Sequence, residues 1–225
     1  MKKVIEFLTD LYQNNDRSWF ETNKSHYKEV QAEFNVFADR LLAGIAGFDP
    51  SVQGLVLKDC TYRIYRDARF SRDKRPYKTH MGVYVCPGGK KSGNGGYYFH
   101  VEPQTDGGTP VYFMSTGIYM PESKVLKSVR DEIFDNSEEF LRLVGKAEGF
   151  KLVEDNKLKR TPVGYPAGSP MDEYLKLKDV YLERYFDERT LLRDDLTEWA
   201  VGEFKKTYEF NCLMNKAVAF AREEM

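Results

Sequence analysis

The chain has 225 residues: 41% are hydrophobic, 14% aromatic and 31% charged, with 34 basic against 35 acidic side chains. Fifteen Phe, 15 Tyr and two Trp supply enough apolar area to exclude a disordered chain. The balanced charge disfavours nucleic-acid binding driven by bulk positive charge.

Two lysines open the chain like a signal peptide, but Glu6 and Asp10 interrupt the apolar run that should follow, so a helix is expected. Val4, Ile5, Leu8 and Leu11 fall at helical spacing, and Asn14-Asn15-Asp16 breaks the pattern. Ser18 and Glu21 have capping-box spacing. From Phe20 through Tyr27, Val30, Phe34, Phe37, Leu41, Leu42 and Ile45 runs one long amphipathic stripe, closed by Gly47 and Pro50.

The middle of the chain reads as strands. Short ones are predicted at 55–57 and 62–65. Residues 82–86 and 97–102 flank PGGKKSGNGG and predict a hairpin with a long tip, followed by a strand at 110–119 bent at Gly117. After Pro121, Val125, Leu126, Val129, Ile133 and Phe134 mark a helix, and Ser137 caps another through Val144. Residues 151–169 read as irregular, 170–178 as a short helix and 180–186 as a strand. Asp194 or Asp195 then caps a final long helix carrying Leu196, Trp199, Phe204, Phe210, Leu213 and Phe220. The expected fold is α+β in a single domain over 1–225. Its central antiparallel sheet, a meander with a hairpin, is packed by long N- and C-terminal helices.

Cys60, Cys86 and Cys212 are odd in number and widely spaced, with no CxxC, so they read as reduced packing residues of a cytoplasmic protein. No stretch is apolar enough to span a bilayer. HExxH, two-His-carboxylate and Asp-rich patterns are missing, so no metal or cofactor is expected.

Local charge is less even. In RIYRDARFSRDKRPYK (63–78), seven basic residues face two acidic ones, among the aromatics Tyr65, Phe70 and Tyr77, with Tyr62 just before. Arg63, Arg66, Arg69, Lys74 and Lys78 are the candidate ligand-binding cations, with Tyr77 packing on the ligand. Guanidiniums suit bidentate contact with carboxylate or phosphate. The opposing reading is a loop held by ion pairs to Asp67, Asp73 and acidic helices elsewhere.

Three histidines are present. His26 lies on the long N-terminal stripe and reads as a surface residue. Strand alternation puts Tyr98, His100 and Glu102 on one face, with Tyr97, Phe99 and Val101 on the other. His80 and His100 bracket the hairpin and approach each other if the strands pair, which makes them the candidate acid–base residues. GGKKSGNGG lacks the GxxxxGK[ST] pattern and leads into a strand, so it reads as a hairpin tip and not as a phosphate loop. The segment LKRTPVGYPAGSP reads as a rigid surface loop that can close over the basic segment.

Asn14-Asn15, Trp19-Phe20, Asn23 and Tyr27, then RDARFSRDKRPYK at 66–78, then LKRTPVGYP at 158–166, together resemble the bacterial domain-of-unknown-function family 2461. The resemblance runs in order over most of the chain. It implies a soluble single-domain protein with the same basic signature and supplies no catalytic residue, cofactor or substrate.

Three functions follow. The first is binding of a small phosphorylated or carboxylated ligand by the 63–78 cations. The second is a hydrolase or transferase in which those cations stabilise developing charge and His100 or His80 moves a proton. The third is an interaction protein whose basic loop docks on an acidic partner. Nucleic acid and membrane are not expected partners.

Overall fold

The computed structural model describes residues 1–67, 69 and 71–223; Phe70 of the basic segment lies outside them. The chain opens with α1 (Lys2–Gln13), α2 (Arg17–Thr22) and α3 (Lys24–Ala46). α1 buries Val4, Phe7, Leu8 and Leu11 against α3, whose buried stripe runs from Tyr27 to Ile45. The predicted capping box is displaced: Asp16, in extended backbone, accepts the Trp19 N–H at 3.0 Å. Glu21 instead pairs with Lys24 at 2.9 Å. The long stripe breaks at Asn23, whose amide donates to the Trp19 carbonyl at 2.9 Å and competes with the helical ladder.

The strands expected at 55–57 and 62–65 do not form. Leu57–Cys60 is a short helix, α4, because the Asp59 carboxylate accepts the Val56 N–H and closes a turn. Thr61 and Tyr65 make only isolated bridges, to Val83 and Tyr77. Then come β1 (Met81–Val85), β2 (Gly96–Glu102) and β3 (Val111–Ile118). α5 (Ser123–Asp135), α6 (Ser137–Lys146), the two-residue β4 (Lys151–Leu152), α7 (Asp172–Leu175) and β5 (Val180–Tyr185) follow. The chain ends in α8 (Glu188–Leu191), α9 (Leu196–Lys205) and α10 (Tyr208–Glu223). The expected single final helix is therefore two. Lys206 and Thr207 bond three residues back, and the Thr207 hydroxyl caps the Phe204 carbonyl at 2.8 Å.

The five strands form one antiparallel sheet in the order β1-β2-β3-β5-β4. One face carries Val83, Val85, Tyr97, Phe99, Val101, Met114 and Leu182, all buried. Helices cover it: Phe37 of α3 meets Phe99 at 4.8 Å, Phe204 of α9 meets Tyr97 at 5.5 Å, and α10 packs on β3. Buried in this layer, the Tyr97 hydroxyl donates to Asp49 at 2.9 Å. No helix is long and apolar enough to cross a membrane among the described residues.

Two asparagines tie loops to the helical layer. The Asn15 amide donates to the Tyr77 carbonyl at 3.0 Å, and its oxygen accepts the Tyr77 N–H at 3.1 Å. Asn215 of α10 grips Gly95 the same way, at 2.8 and 3.0 Å. Replacing Asn15 with Ala leaves a partly buried N–H and C=O unpaired, so Asn15→Ala is expected to lose roughly 1–3 kcal/mol of stability. A denaturant midpoint identical to wild type would show that this clasp does not hold the segment.

Candidate functional site

Among the described residues, no helix covers the other face of the sheet. The register pairs Tyr84 with Tyr98, His100 with Phe113, Tyr98 with Ser115, and Ser115 with Glu183. Period-two alternation therefore brings Tyr84, Tyr98, His100, Phe113, Ser115, Tyr181 and Glu183 onto one surface. A cavity of about 580 Å³ opens over it. Its walls are Tyr62, Lys78 and His80 from the segment before β1, and Lys90, Gly93 and Asn94 from the hairpin tip. Gly82 makes the floor possible, since a Cβ there would lie 2.5 Å from the Tyr98 hydroxyl.

His100 has a partner at each ring nitrogen. Its Nδ1 lies 2.9 Å from the Tyr98 hydroxyl and its Nε2 lies 3.2 Å from Glu102 Oε2. Its ring stacks on Phe113 at 4.6 Å. The other Glu102 oxygen accepts the Thr79 hydroxyl at 2.8 Å. Burial works to raise Glu102, but the hydrogen bonds from His100 and Thr79 and the charges of His80 and His100 together leave the carboxyl below its ordinary value. His80 lies beside His100, ring centres 4.8 Å apart. Burial, then the neighbouring His100, pulls His80 down to about 4, so it is neutral at neutral pH. One donor atom from each of His80, His100 and Glu102 falls within 4.8 Å of the others. In sequence these residues are 20 and 2 apart, a spacing that matches no linear metal motif.

The cations of 63–78 divide. Arg66 pairs with Asp73, Arg69 with Asp67 at 2.6 Å, and Arg75 bridges Asp73 at 2.8 Å and Asp106 at 3.0 Å. Arg75 and Arg66 hold the Asp73 carboxyl well below the usual carboxylate range. Lys74 is exposed on the same segment. Tyr77 is buried and stacks on Phe20 at 4.0 Å, facing the helices. Arg63 and Lys78 line a smaller recess of about 80 Å³ together with His80. Lys78 also reaches the main cavity, its ammonium 5.2 Å from the Tyr62 ring centre; Lys90 approaches the same ring at 5.8 Å. The 158–170 loop is held on α5, where the Tyr165 hydroxyl donates to Asp131 at 2.6 Å. His26 packs edge-on against Phe7 at 5.4 Å.

The sequence placed His80 near His100, put Tyr98 and Glu102 on the same face, and named Lys78 among the candidate cations; it did not point to Lys90 or to Tyr84, Phe113 and Tyr181. Alternation along β2 was visible, but the outward residues of β3 and β5 became assignable only once their register against β2 was known.

Burial raises Glu183, Asp155 adds to this, and the Tyr185 hydroxyl and His100 act against it, while Lys151 stands opposite in the register. The folded state then holds this proton more tightly than the unfolded chain, so the contribution of Glu183 to stability falls as pH rises above the ordinary Glu value. Relative to wild type, Glu183→Gln is expected to be more stable at pH 7 than at pH 4. Denaturation at both pH values checks this; a variant penalised more at pH 7 than at pH 4 contradicts it.

A family model described as a conserved hypothetical protein (DUF2461) matches residues 3–212, so the chain belongs to that family. No curated protein and no solved structure matches it.

Proposed function

We propose that this member of the DUF2461 family binds a small phosphorylated or carboxylated ligand in the cavity over the open sheet face. The anionic end would meet Lys78 and Lys90, and the ligand's ring or apolar body would lie on Tyr62, Tyr98 and Phe113. One observation carries this reading. Lys78 lines the cavity half-buried, burial and then Arg63 pull its pKa down, and among the described residues no carboxylate acts to restore it. A partly desolvated ammonium without a counterion is unfavourable, and an incoming anion relieves that. The cavity volume lies within the roughly 300–1,000 Å³ typical of small-molecule sites. Arg66 and Arg69 act in this reading as supports for the wall, since each already faces an aspartate.

The His100–Glu102 contact favours a second reading, in which the bound ligand is also a substrate. His100 would then move a proton, oriented by Glu102 and Tyr98, with His80 beside it. The unpaired cysteines Cys60, Cys86 and Cys212 support a cytoplasmic location.

Phenyl phosphate, inorganic phosphate and citrate, compared by thermal shift and calorimetry at fixed ionic strength, test the first reading. Phenyl phosphate should bind more tightly than inorganic phosphate. The Lys78→Ala/Lys90→Ala double variant should bind it roughly ten- to a hundredfold more weakly while melting normally, as expected for loss of charge-assisted contacts. A flat response to all three probes, or unchanged affinity in the double variant, rejects the proposal.

A further inference from the structure

We propose that His80, His100 and Glu102 form a binding site for a divalent first-row transition-metal ion at one end of the sheet cavity. This goes beyond the anion reading, which rests on the lysines and not on these three groups.

The donor set is the first argument. Two imidazoles and one carboxylate are the ligands that zinc, iron, nickel and copper share, and three protein ligands leave coordination positions open for a bound molecule. The cluster is built into rigid structure: His100 and Glu102 lie on β2, and His80 immediately precedes its partner strand β1. Because Met81 pairs with Val101, the next position outward places His80 across from Glu102.

Distance is the second argument. His100 Nε2 and Glu102 Oε2 are 3.2 Å apart. Two atoms at that separation subtend about 100° at an ion roughly 2.1 Å from each, close to tetrahedral and octahedral ligand angles. An ion would thus replace the His100–Glu102 hydrogen bond with little movement of either residue. His80 must bring its nitrogen in from within the 4.8 Å limit of the cluster, a side-chain adjustment.

The surroundings are the third argument. Metal-bound histidines commonly engage their second nitrogen with a polar partner, and bound carboxylates are themselves hydrogen-bonded. Both features are already in place. Tyr98 meets His100 Nδ1, which leaves Nε2 directed at Glu102, and Thr79 holds the other Glu102 oxygen. His80 and His100 line the cavity, so open positions on the ion would face whatever it holds. With neutral imidazoles and one carboxylate, a divalent ion would keep a net positive charge, which suits a carboxylate or phosphate oxygen as an added ligand.

The test strips the full-length protein with a chelator and titrates it with Co²⁺ and Zn²⁺, read by calorimetry and by the visible absorption of Co²⁺. The expected result is one equivalent bound by wild type and by the His26→Gln control, and loss of that equivalent in His100→Gln and Glu102→Gln. Tyr98→Phe keeps all three ligands and should weaken binding about 10- to 100-fold by removing the group that orients His100. Circular dichroism and melting confirm which variants fold; if the ligand variants do not, Tyr98→Phe alone decides. Only trace binding by wild type, undiminished binding in the ligand variants, or unchanged affinity in folded Tyr98→Phe overturns the proposal.

Discussion

The pairing of Met81 with Val101 governs the structure. A slip of one residue between β1 and β2 would turn Val83 and Val85 out of the core and Tyr84 into it. It would also separate His80 from His100 and Glu102. The core therefore enforces the polar cluster: Val83, Tyr97, Phe99 and Val101 are almost wholly buried, and their positions leave the alternate residues no choice of face. An antiparallel sheet tolerates one open face in a way a parallel sheet does not, so the aromatic surface opposite the helices is compatible with a stable fold.

An open face becomes a cavity only if something rises around it. The segment before β1 and the hairpin tip do this, and among the described residues neither forms a helix or an extended strand. Each is fixed by an asparagine that satisfies one N–H and one C=O of a single residue, Asn15 on Tyr77 and Asn215 on Gly95. Around these clasps, Arg222 donates to Asn94 at 2.8 Å, and the Arg66–Asp73–Arg75–Asp106 chain crosses the basic segment. Partly exposed ion pairs of this kind contribute little each, but in a network they restrict where a loop can go. The arginines thus shape the wall, and the lysines line the opening.

Much of this was legible in the residues. Helical stripes such as Val4–Leu8–Leu11 and strand alternation at Tyr97–Glu102 report burial directly, because period follows from backbone geometry. The errors came where a local hydrogen bond overrides pattern. Asp59 turned an apparent strand into helix α4, Asp16 took the capping role from Ser18, and Thr207 split the final helix. The basic segment was conspicuous, yet charge density does not reveal which cations are already paired. Tyr77 read as a ligand platform because it stands among cations, while its stacking on Phe20 depends on residues 57 positions away. Lys90 was hidden in a glycine-rich tip whose place over the sheet is set by Asn215, 120 residues beyond Gly95.

The same reasoning explains why the polar groups of the cavity sit where they do. His100 is buried among Tyr98, Phe113 and His80, surroundings that would penalise an unpaired polar ring. It is tolerated because both nitrogens find partners on its own strand, two residues to either side. Residues i−2, i and i+2 of a strand share a face, so Tyr98, His100 and Glu102 form a polar row that needs no long-range contact to assemble. Long-range pairing adds His80 and Thr79 at one end and Lys78 above. A row that is locally self-sufficient, with cations and a second imidazole brought to it by the fold, has its geometry set by contacts within its own strand. Such local support matters on an open sheet face, where among the described residues no helix packs to hold the side chains in place.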